Sequence, residues 1–312
     1  MTAHPQTSDS VLLVRPAGFA FHPEAARSNA FADGPGGSDV SALALAEFDA
    51  LHQRLQDAGV DCLVLEDHPE PAKPDAVFPN NMVSFHGDGM MILYPMATAA
   101  RRLERRPKAL AALVRANGLD IRRTVDLSPF EEQGHYLEGT GSLVLDRPGC
   151  KAFAALGPRT NSTVIAAFDS ATGTTTHMFA AADRSGRSIY HTNVLLSLGS
   201  RFAILCGEAV AAAAQAPLIA AIEAGRRSII DVTFDQMGQF ACNALELKAR
   251  DGTPLIALSA SAMASFTPHQ QRQLERFGEF VAVPIPVIEQ VGGGSVRCMI
   301  AEVHLPRLNP GS

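Results

Sequence analysis

Val194-Leu195-Leu196-Ser197-Leu198-Gly199-Ser200-Arg201-Phe202-Ala203-Ile204-Leu205 sets two short apolar runs either side of Gly199-Ser200, and so reads as a pair of strands. An Ala-rich helix interrupted by Pro217 follows from Glu208 to Glu223, and then another strand from Ser228 to Val232. The succession is strand, strand, helix, strand. Downstream it recurs. Ala244 to Leu247 and Pro254 to Leu258 read as strands, Thr267-Pro268 opens a helix to about Phe277 with Thr as cap and Pro at the first position, and Phe280 to Ile285 is a strand. Cys298 to Val303 closes the series.

Upstream, Val11 to Val14 is a buried strand ended by Pro16, and residues 17–37 form a long loop rich in Ala, Gly and Pro. Ser38-Asp39 caps a helix to about Ala58, with Leu43, Phe48, Leu51 and Leu55 on one face and Gly59 at its end. Cys62 to Leu65, Met90 to Tyr94, Ser142 to Leu145 and Thr163 to Ala166 read as strands. A helix is expected from about Thr98 to Ala116, kinked or restarted at Pro107. Strand pairs between helices fit poorly with a doubly wound parallel sheet. A ββαβ unit repeated about every 60 residues fits the 312-residue length, although no sequence repeat is visible. With no evident linker, one α/β domain over residues 1–312 is expected.

Composition narrows the function. Hydrophobic residues at 46% with charged residues at 19% describe a globular chain, and a net charge of −6 supplies no basic field for nucleic acid. No run of about 18 apolar residues suggests a membrane span, and no basic-then-apolar leader suggests secretion. The five scattered cysteines (Cys62, Cys150, Cys206, Cys242 and Cys298) have neither disulfide-framework nor zinc spacing, which fits a reducing cytoplasm. No metal-ligand pattern and no cofactor motif is present. A homo-oligomer is compatible with the sequence.

Four stretches carry candidate chemistry. Val291-Gly292-Gly293-Gly294-Ser295-Val296-Arg297-Cys298 places a lone thiol after three glycines and before an apolar run. It is either a nucleophile or an inert buried cysteine. Asp75-Ala76-Val77-Phe78-Pro79-Asn80-Asn81 puts two adjacent amides after a proline, which also suits a plain turn. Tyr136-Leu137-Glu138-Gly139-Thr140-Gly141-Ser142 encloses a carboxylate in apolar and glycine surroundings, where it would need a partner. Ile189-Tyr190-His191-Thr192-Asn193-Val194 sets a histidine at the head of a strand with an amide two residues on.

Together, and in this order, these stretches resemble the guanidino-group-modifying superfamily, the penteins: arginine deiminases, dimethylarginine dimethylaminohydrolases and amidinotransferases. The motifs are Asp75 to Asn81, Arg101-Arg102-Leu103-Glu104, Glu138-Gly139-Thr140, Arg159-Thr160-Asn161, His191-Thr192-Asn193 and Cys298. Within the superfamily the chain looks most like the arginine-deiminase-related citrulline-utilisation hydrolases. The resemblance implies a five-bladed α/β propeller of ββαβ units around a central active-site channel. It implies Cys298 as nucleophile, His191 as general acid and base, and Glu138 as the carboxylate that orients His191 and substrate. Arg101 and Arg159 match residues that hold a substrate α-carboxylate, and Phe78 matches one that packs on the reacting group.

The chain departs from the deiminase pattern where acids usually meet a guanidinium. Asn80, Asn81 and Asn193 stand there instead. A buried guanidinium wants negative charge, whereas a neutral ureido group offers one acceptor and several donors, which asparagine can answer on both sides. The expected reaction is therefore hydrolysis of citrulline to ornithine, carbon dioxide and ammonia, with Asp75 available to a substrate α-amino group. Hydrolysis of arginine or a methylated arginine to citrulline is the rival reaction, and a macromolecule-binding pentein without catalysis is the rival class. A lid over the site is expected, with residues 17–37 as its place.

Overall fold

The computed structural model describes residues 4–34 and 39–308. Strand β1 (Ser10–Arg15) pairs in parallel with β2 (Asp61–Glu66), across the helix Val40–Asp57. Strands β3 (Val83–Phe85) and β4 (Met90–Leu93) are antiparallel, and β5 (Arg123–Asp126) lies parallel to β4 after the helix Pro107–Ala116. The same pattern gives β6 (Val144–Asp146), β7 (Lys151–Leu156) and β8 (Thr175–Ala180), then β9 (Leu196–Leu198), β10 (Phe202–Leu205) and β11 (Ser228–Asp231). It recurs in β12 (Leu245–Lys248), β13 (Pro254–Ser259) and β14 (Glu279–Val283). Finally β15 (Ala301–Glu302) returns to pair antiparallel with β1, Val11 opposite Glu302 and Leu12 opposite Ala301.

Among the described residues these strands make five three-stranded sheets, each with one antiparallel and one parallel pairing. The reason is local. A short turn can only reverse a strand, so it yields the antiparallel pair, whereas a parallel neighbour needs a crossover, supplied here by a helix. One unit is split between the two ends of the chain, with β15 from one and β1 from the other. The last strand thereby joins the first unit.

Most expected elements near both ends hold, except that the expected loop over residues 17–37 carries a short helix, Pro23–Ala26, and the expected strand from Cys298 to Val303 shrinks to Ala301–Glu302; the middle needs more correction. Thr163 to Ala166 is not a strand but part of the helix Ser162–Thr172, because the Asn161 side chain accepts from the Thr163 amide at 2.8 Å and caps it. The flanking strands Lys151–Leu156 and Thr175–Ala180 escaped notice, being rich in Ala or half-polar. Residues Gly139–Ser142 form one helical turn, so that strand begins only at Val144. Likewise Thr192–Val194 is a 3₁₀ turn and its strand runs from Leu196 to Leu198. The expected helix from Thr98 to Ala116 is two helices, Ala99–Arg102 and Pro107–Ala116, restarting at Pro107. In the helix Val40–Asp57 the buried face is Ala44, Phe48, Leu51 and Leu55, while Leu43 is 51% exposed. Of the expected cap pair, Asp39 is the N-cap residue and Ser38 lies outside the described residues.

Each sheet packs apolar side chains against its helix. One cluster joins Phe48, Leu51 and Leu55 to Phe19, Phe78 and Cys298. The core thus reaches the motif residues. No helix of the described residues is long and apolar enough to cross a membrane.

Candidate active site

The segments ahead of the first strand of each unit have something in common. Pro79–Asn81 is a 3₁₀ turn before β3, Gly139–Ser142 a helical turn before β6, and Thr192–Val194 a 3₁₀ turn before β9. Asn243 stands two residues before β12 and Cys298 three before β15. Each brings its polar group to the same end of its sheet. Side chains far apart in sequence meet there.

Cys298, 3% exposed, receives two amide donors: Asn193 Nδ2 at 3.4 Å and Asn243 Nδ2 at 3.3 Å from Sγ. Its surroundings differ from those of the other cysteines. Burial pushes Cys62 up to about 12, Cys206 up to about 11 and Cys242 well above the usual thiol range, which disfavours their thiolates.

His191 Nε2 lies 2.8 Å from Glu138 Oε2. Burial drives this imidazole down to about 4, against the opposing pull of the Glu138 bond, so it is neutral at rest at neutral pH. Glu138 is fully buried; its Oε2 also meets Arg159 Nη1 at 3.3 Å and Arg101 Nη1 at 3.5 Å, and its Oε1 accepts from the Ala97 amide at 3.0 Å. Burial alone would raise this carboxyl. Arg159, the His191 bond and Arg101 overcome it and hold the group well below the usual carboxylate range.

Both arginine forks are engaged by the protein. Arg101 donates from Nε and Nη2 to the two oxygens of Glu104, each at 3.0 Å, and from Nη1 to Asn81 Oδ1 at 2.9 Å. Burial raises Glu104 to about 7 despite that pairing. Arg159 donates to Ser28 Oγ at 2.8 Å and Ala25 O at 2.7 Å, with its guanidinium 5.2 Å from the centre of the Tyr190 ring. Asp75 Oδ2 is 2.7 Å from His22 Nδ1 and 3.9 Å from Arg101 Nε.

These groups surround a small cavity lined by Asp75, Phe78, Asn81, Arg101, Arg159, His191 and Cys298, among others. Of the residues expected at the site, Asn193 touches the sulfur and Glu138 sits behind His191. Asn80 is the outlier. It is buried, its side-chain nitrogen and oxygen lack partners, and it is not part of the cavity wall. The glycines make the approach of the segments feasible. A Cβ on Gly292 would come 2.8 Å from the Phe78 ring, and one on Gly141 would strike Asn81 Nδ2 and come 2.9 Å from His191 Nδ1. Gly141→Ala is accordingly expected to lower kcat at least about 100-fold, since displacing a catalytic group by an ångström has that cost. Steady-state kinetics on protein with unchanged circular dichroism checks it.

Asn243 was missed in the sequence. The signal that could have found it is positional: Asn81, Asn193 and Asn243 each stand two or three residues before the first strand of a unit.

The sequence pattern of the family described as N,N dimethylarginine dimethylhydrolase, eukaryotic, matches residues 15–305. The chain belongs to that family. It is thereby a member of the guanidino-modifying penteins and a hydrolase of non-peptide carbon–nitrogen bonds. Comparison with curated proteins gives no match. Among solved structures, ArgZ, an arginine dihydrolase from the ornithine-ammonia cycle in cyanobacteria, superposes in its unliganded form with a TM-score of 0.75 at 18% identity, over 96% of this chain and 41% of that one. The N-terminal domain of ArgZ bound to substrate matches over 95% of this chain and 99% of that domain, with a TM-score of 0.73 and 18% identity. A dimethylarginine dimethylaminohydrolase adduct with 4-chloro-2-hydroxymethylpyridine gives a TM-score of 0.64 at 16% identity, covering 94% and 98% of the two chains. At such identities the likeness is one of fold. This family member spans about two fifths of full-length ArgZ and nearly all of its N-terminal domain.

Proposed function

We propose that this family member hydrolyses citrulline to ornithine, carbon dioxide and ammonia in a single catalytic domain, a five-bladed propeller with Cys298 in its central channel. The observation that carries the reading is the character of the groups around the sulfur. Asn193 and Asn243 touch it, and Asn81 lines the cavity beside it. The acids nearby are already committed. Glu138 serves Arg159, Arg101 and His191, and Asp75 serves His22. A guanidinium would find no free carboxylate there, whereas a neutral ureido group would find donors and acceptors.

In this reading the Cys298 sulfur adds to the ureido carbon. No hydrogen bond joins Cys298 to His191, so the substrate occupies the space between them. Neutral His191 takes up the Cys298 thiol proton during the attack and delivers it to the departing δ-nitrogen, releasing ornithine. Water, deprotonated by the same imidazole, then cleaves the carbamoyl–sulfur bond, and the carbamate falls to carbon dioxide and ammonia. Glu138 steadies the imidazolium at each proton uptake. Phe78 packs on the ureido group. Asp75, once it exchanges His22 for substrate, meets the α-amino group rather than the reacting end, and Arg159, once released by Ser28 and Ala25, offers its fork to the α-carboxylate with Arg101 beside it. The main-chain oxygen of Asn80 accepts from Thr140 Oγ1 at 3.4 Å and so ties the Asn81 turn to the Glu138 segment.

The cavity has room for about one water, roughly 20 Å³ of free volume, so the described state is closed to an amino acid. The stretch from Ala25 to Asp33 closes it. Asn29 Nδ2 donates to Gly292 O at 3.2 Å and Gly293 O at 3.0 Å, and the Asp33 amide donates to Gln290 O at 2.8 Å. A cleft of about 650 Å³ lies against the same stretch, between Ser28, Phe31, Tyr190 and Phe240. Displacement of the stretch connects the two and admits substrate.

A second reading, hydrolysis of arginine or its methylated forms, is favoured by the family match and by the likeness to ArgZ. Incubation with citrulline, arginine and dimethylarginine separately, with chromatographic assay of ornithine and citrulline, distinguishes the two. Ornithine from citrulline supports the first reading. Citrulline accumulating from arginine, with citrulline itself inert, establishes the second.

A further inference from the structure

The resting sulfur lacks the partner that cysteine hydrolases commonly use. His191 is turned to Glu138 and is neutral, so no imidazolium stands beside Cys298. What does touch the sulfur is a pair of carboxamides, and the orientation of an amide is ordinarily ambiguous, since its oxygen and nitrogen are nearly the same shape. For Asn243 the neighbourhood removes the ambiguity. Its Nδ2 lies 3.1 Å from the main-chain oxygen of Asn193, and a main-chain oxygen only accepts. The amino end of the amide therefore faces that carbonyl, and the same amino group lies 3.3 Å from Cys298 Sγ. A donor is locked onto the sulfur. The Asn193 side chain has no such anchor: its Nδ2 donates to the sulfur alone, and the Oδ1 of both amides is buried without a partner.

We propose that Asn243 is a positioning residue for the nucleophile: its amide, locked by the Asn193 carbonyl, stabilises the Cys298 sulfur as its proton leaves and aims it at the substrate carbon. An N–H donor favours a sulfur anion over a thiol, because the thiol's own proton competes for the same approach and its sulfur accepts weakly. The placement follows from the fold. Asn243 precedes β12 as Cys298 precedes β15, so the two meet because their units meet. The inference rests on Cys298 being the nucleophile.

The test compares alkylation of Cys298 by iodoacetamide in the wild type, Asn243→Asp and Asn243→Ala across a range of pH, with the modified peptide identified by mass spectrometry. The aspartate variant keeps the shape but only accepts; alanine removes the amide. The charged and titratable groups around the sulfur, Asp75, Arg101, Glu138, Arg159, Tyr190 and His191, are common to the wild type and Asn243→Ala and cancel in that comparison, whereas Asn243→Asp adds a carboxylate of its own. Expected is a rate at neutral pH about tenfold lower in each variant, with the profile displaced to higher pH by about a unit, the lower end of a hydrogen bond to a charged group. Should alanine fail to fold, Asn243→Leu, uncharged and of similar size but without a donor, decides in its place. A variant that folds and whose profile superimposes on the wild type overturns the proposal, since a merely structural residue would leave that profile in place. Failure of the nucleophile reading looks different: Cys298→Ser would then retain turnover, whatever the alkylation profiles show.

Discussion

Cys298→Ser is expected to lose at least about 10⁴-fold in kcat while keeping the fold, in line with the loss of a nucleophile elsewhere. The substitution is nearly isosteric in a buried position, so packing changes little. The chemistry changes a great deal. A serine hydroxyl needs a base within hydrogen-bond reach to attack at neutral pH. The nearest imidazole is committed to Glu138 at 2.8 Å and makes no hydrogen bond to residue 298. The two amide donors cannot make an alkoxide of it at neutral pH, because a hydroxyl is far less acidic than a thiol and such hydrogen bonds shift that by only about a unit or two. The measurement is steady-state turnover beside a thermal melt. Turnover within tenfold of the wild type would remove covalent catalysis at this position.

Glu138→Gln carries the second large effect, and it is read in stability as well as activity. The carboxylate is the negative charge common to Arg159, Arg101 and the His191 hydrogen bond, in a fully buried setting. Removing one partner of such a group leaves buried positive charge uncompensated, at about 3–5 kcal/mol. Activity falls by a further factor of about 10² or more, because the imidazole loses the group that supports its proton uptake.

The pH dependence follows from the direction of each shift. The folded carboxyl of Glu138 is held below its unfolded value, so its contribution is present above about pH 4.3 and fades as acid titrates it. His191, driven down to about 4 by burial, takes up its proton in the unfolded chain first. Its contribution is complete above about pH 6.5 and is lost as the pH falls towards 4. The wild type should therefore weaken in two overlapping stages below about pH 6.5. In Glu138→Gln the lower stage disappears, so the stability gap to the wild type is several kcal/mol at pH 7 and narrows below about pH 4.3. Denaturant midpoints at several pH values test this. A gap of under about 1 kcal/mol at pH 7 would mean that the carboxylate does not balance the arginines.

The legibility of the chain varied with the kind of information. Apolar runs such as Val11–Val14, Phe202–Leu205 and Pro254–Leu258 announced strands because a buried strand of branched residues is locally distinctive. Thr163–Ala166 misled for the same reason: a β-branched run looks like a strand until the Asn161 cap is recognised. Lys151–Leu156 hid because alanine declares nothing about sheet pairing. The catalytic-type residues stood out by the company they keep with glycine and proline. Asn243 did not, since one asparagine before an apolar run has no local peculiarity.

Sequence alone determined the ββαβ rhythm and the supply of a thiol, an imidazole, a carboxylate and amides, because side-chain chemistry and short-range patterning are written residue by residue. Tertiary structure decided what these groups do to one another. It turned the Asn243 amide towards the sulfur, occupied the forks of Arg101 and Arg159, gave the Glu138 carboxylate four cationic or hydrogen-bonding neighbours, and left the cavity closed. Those outcomes depend on contacts between segments as much as 264 residues apart, made only when the units come together, and no local stretch contains them.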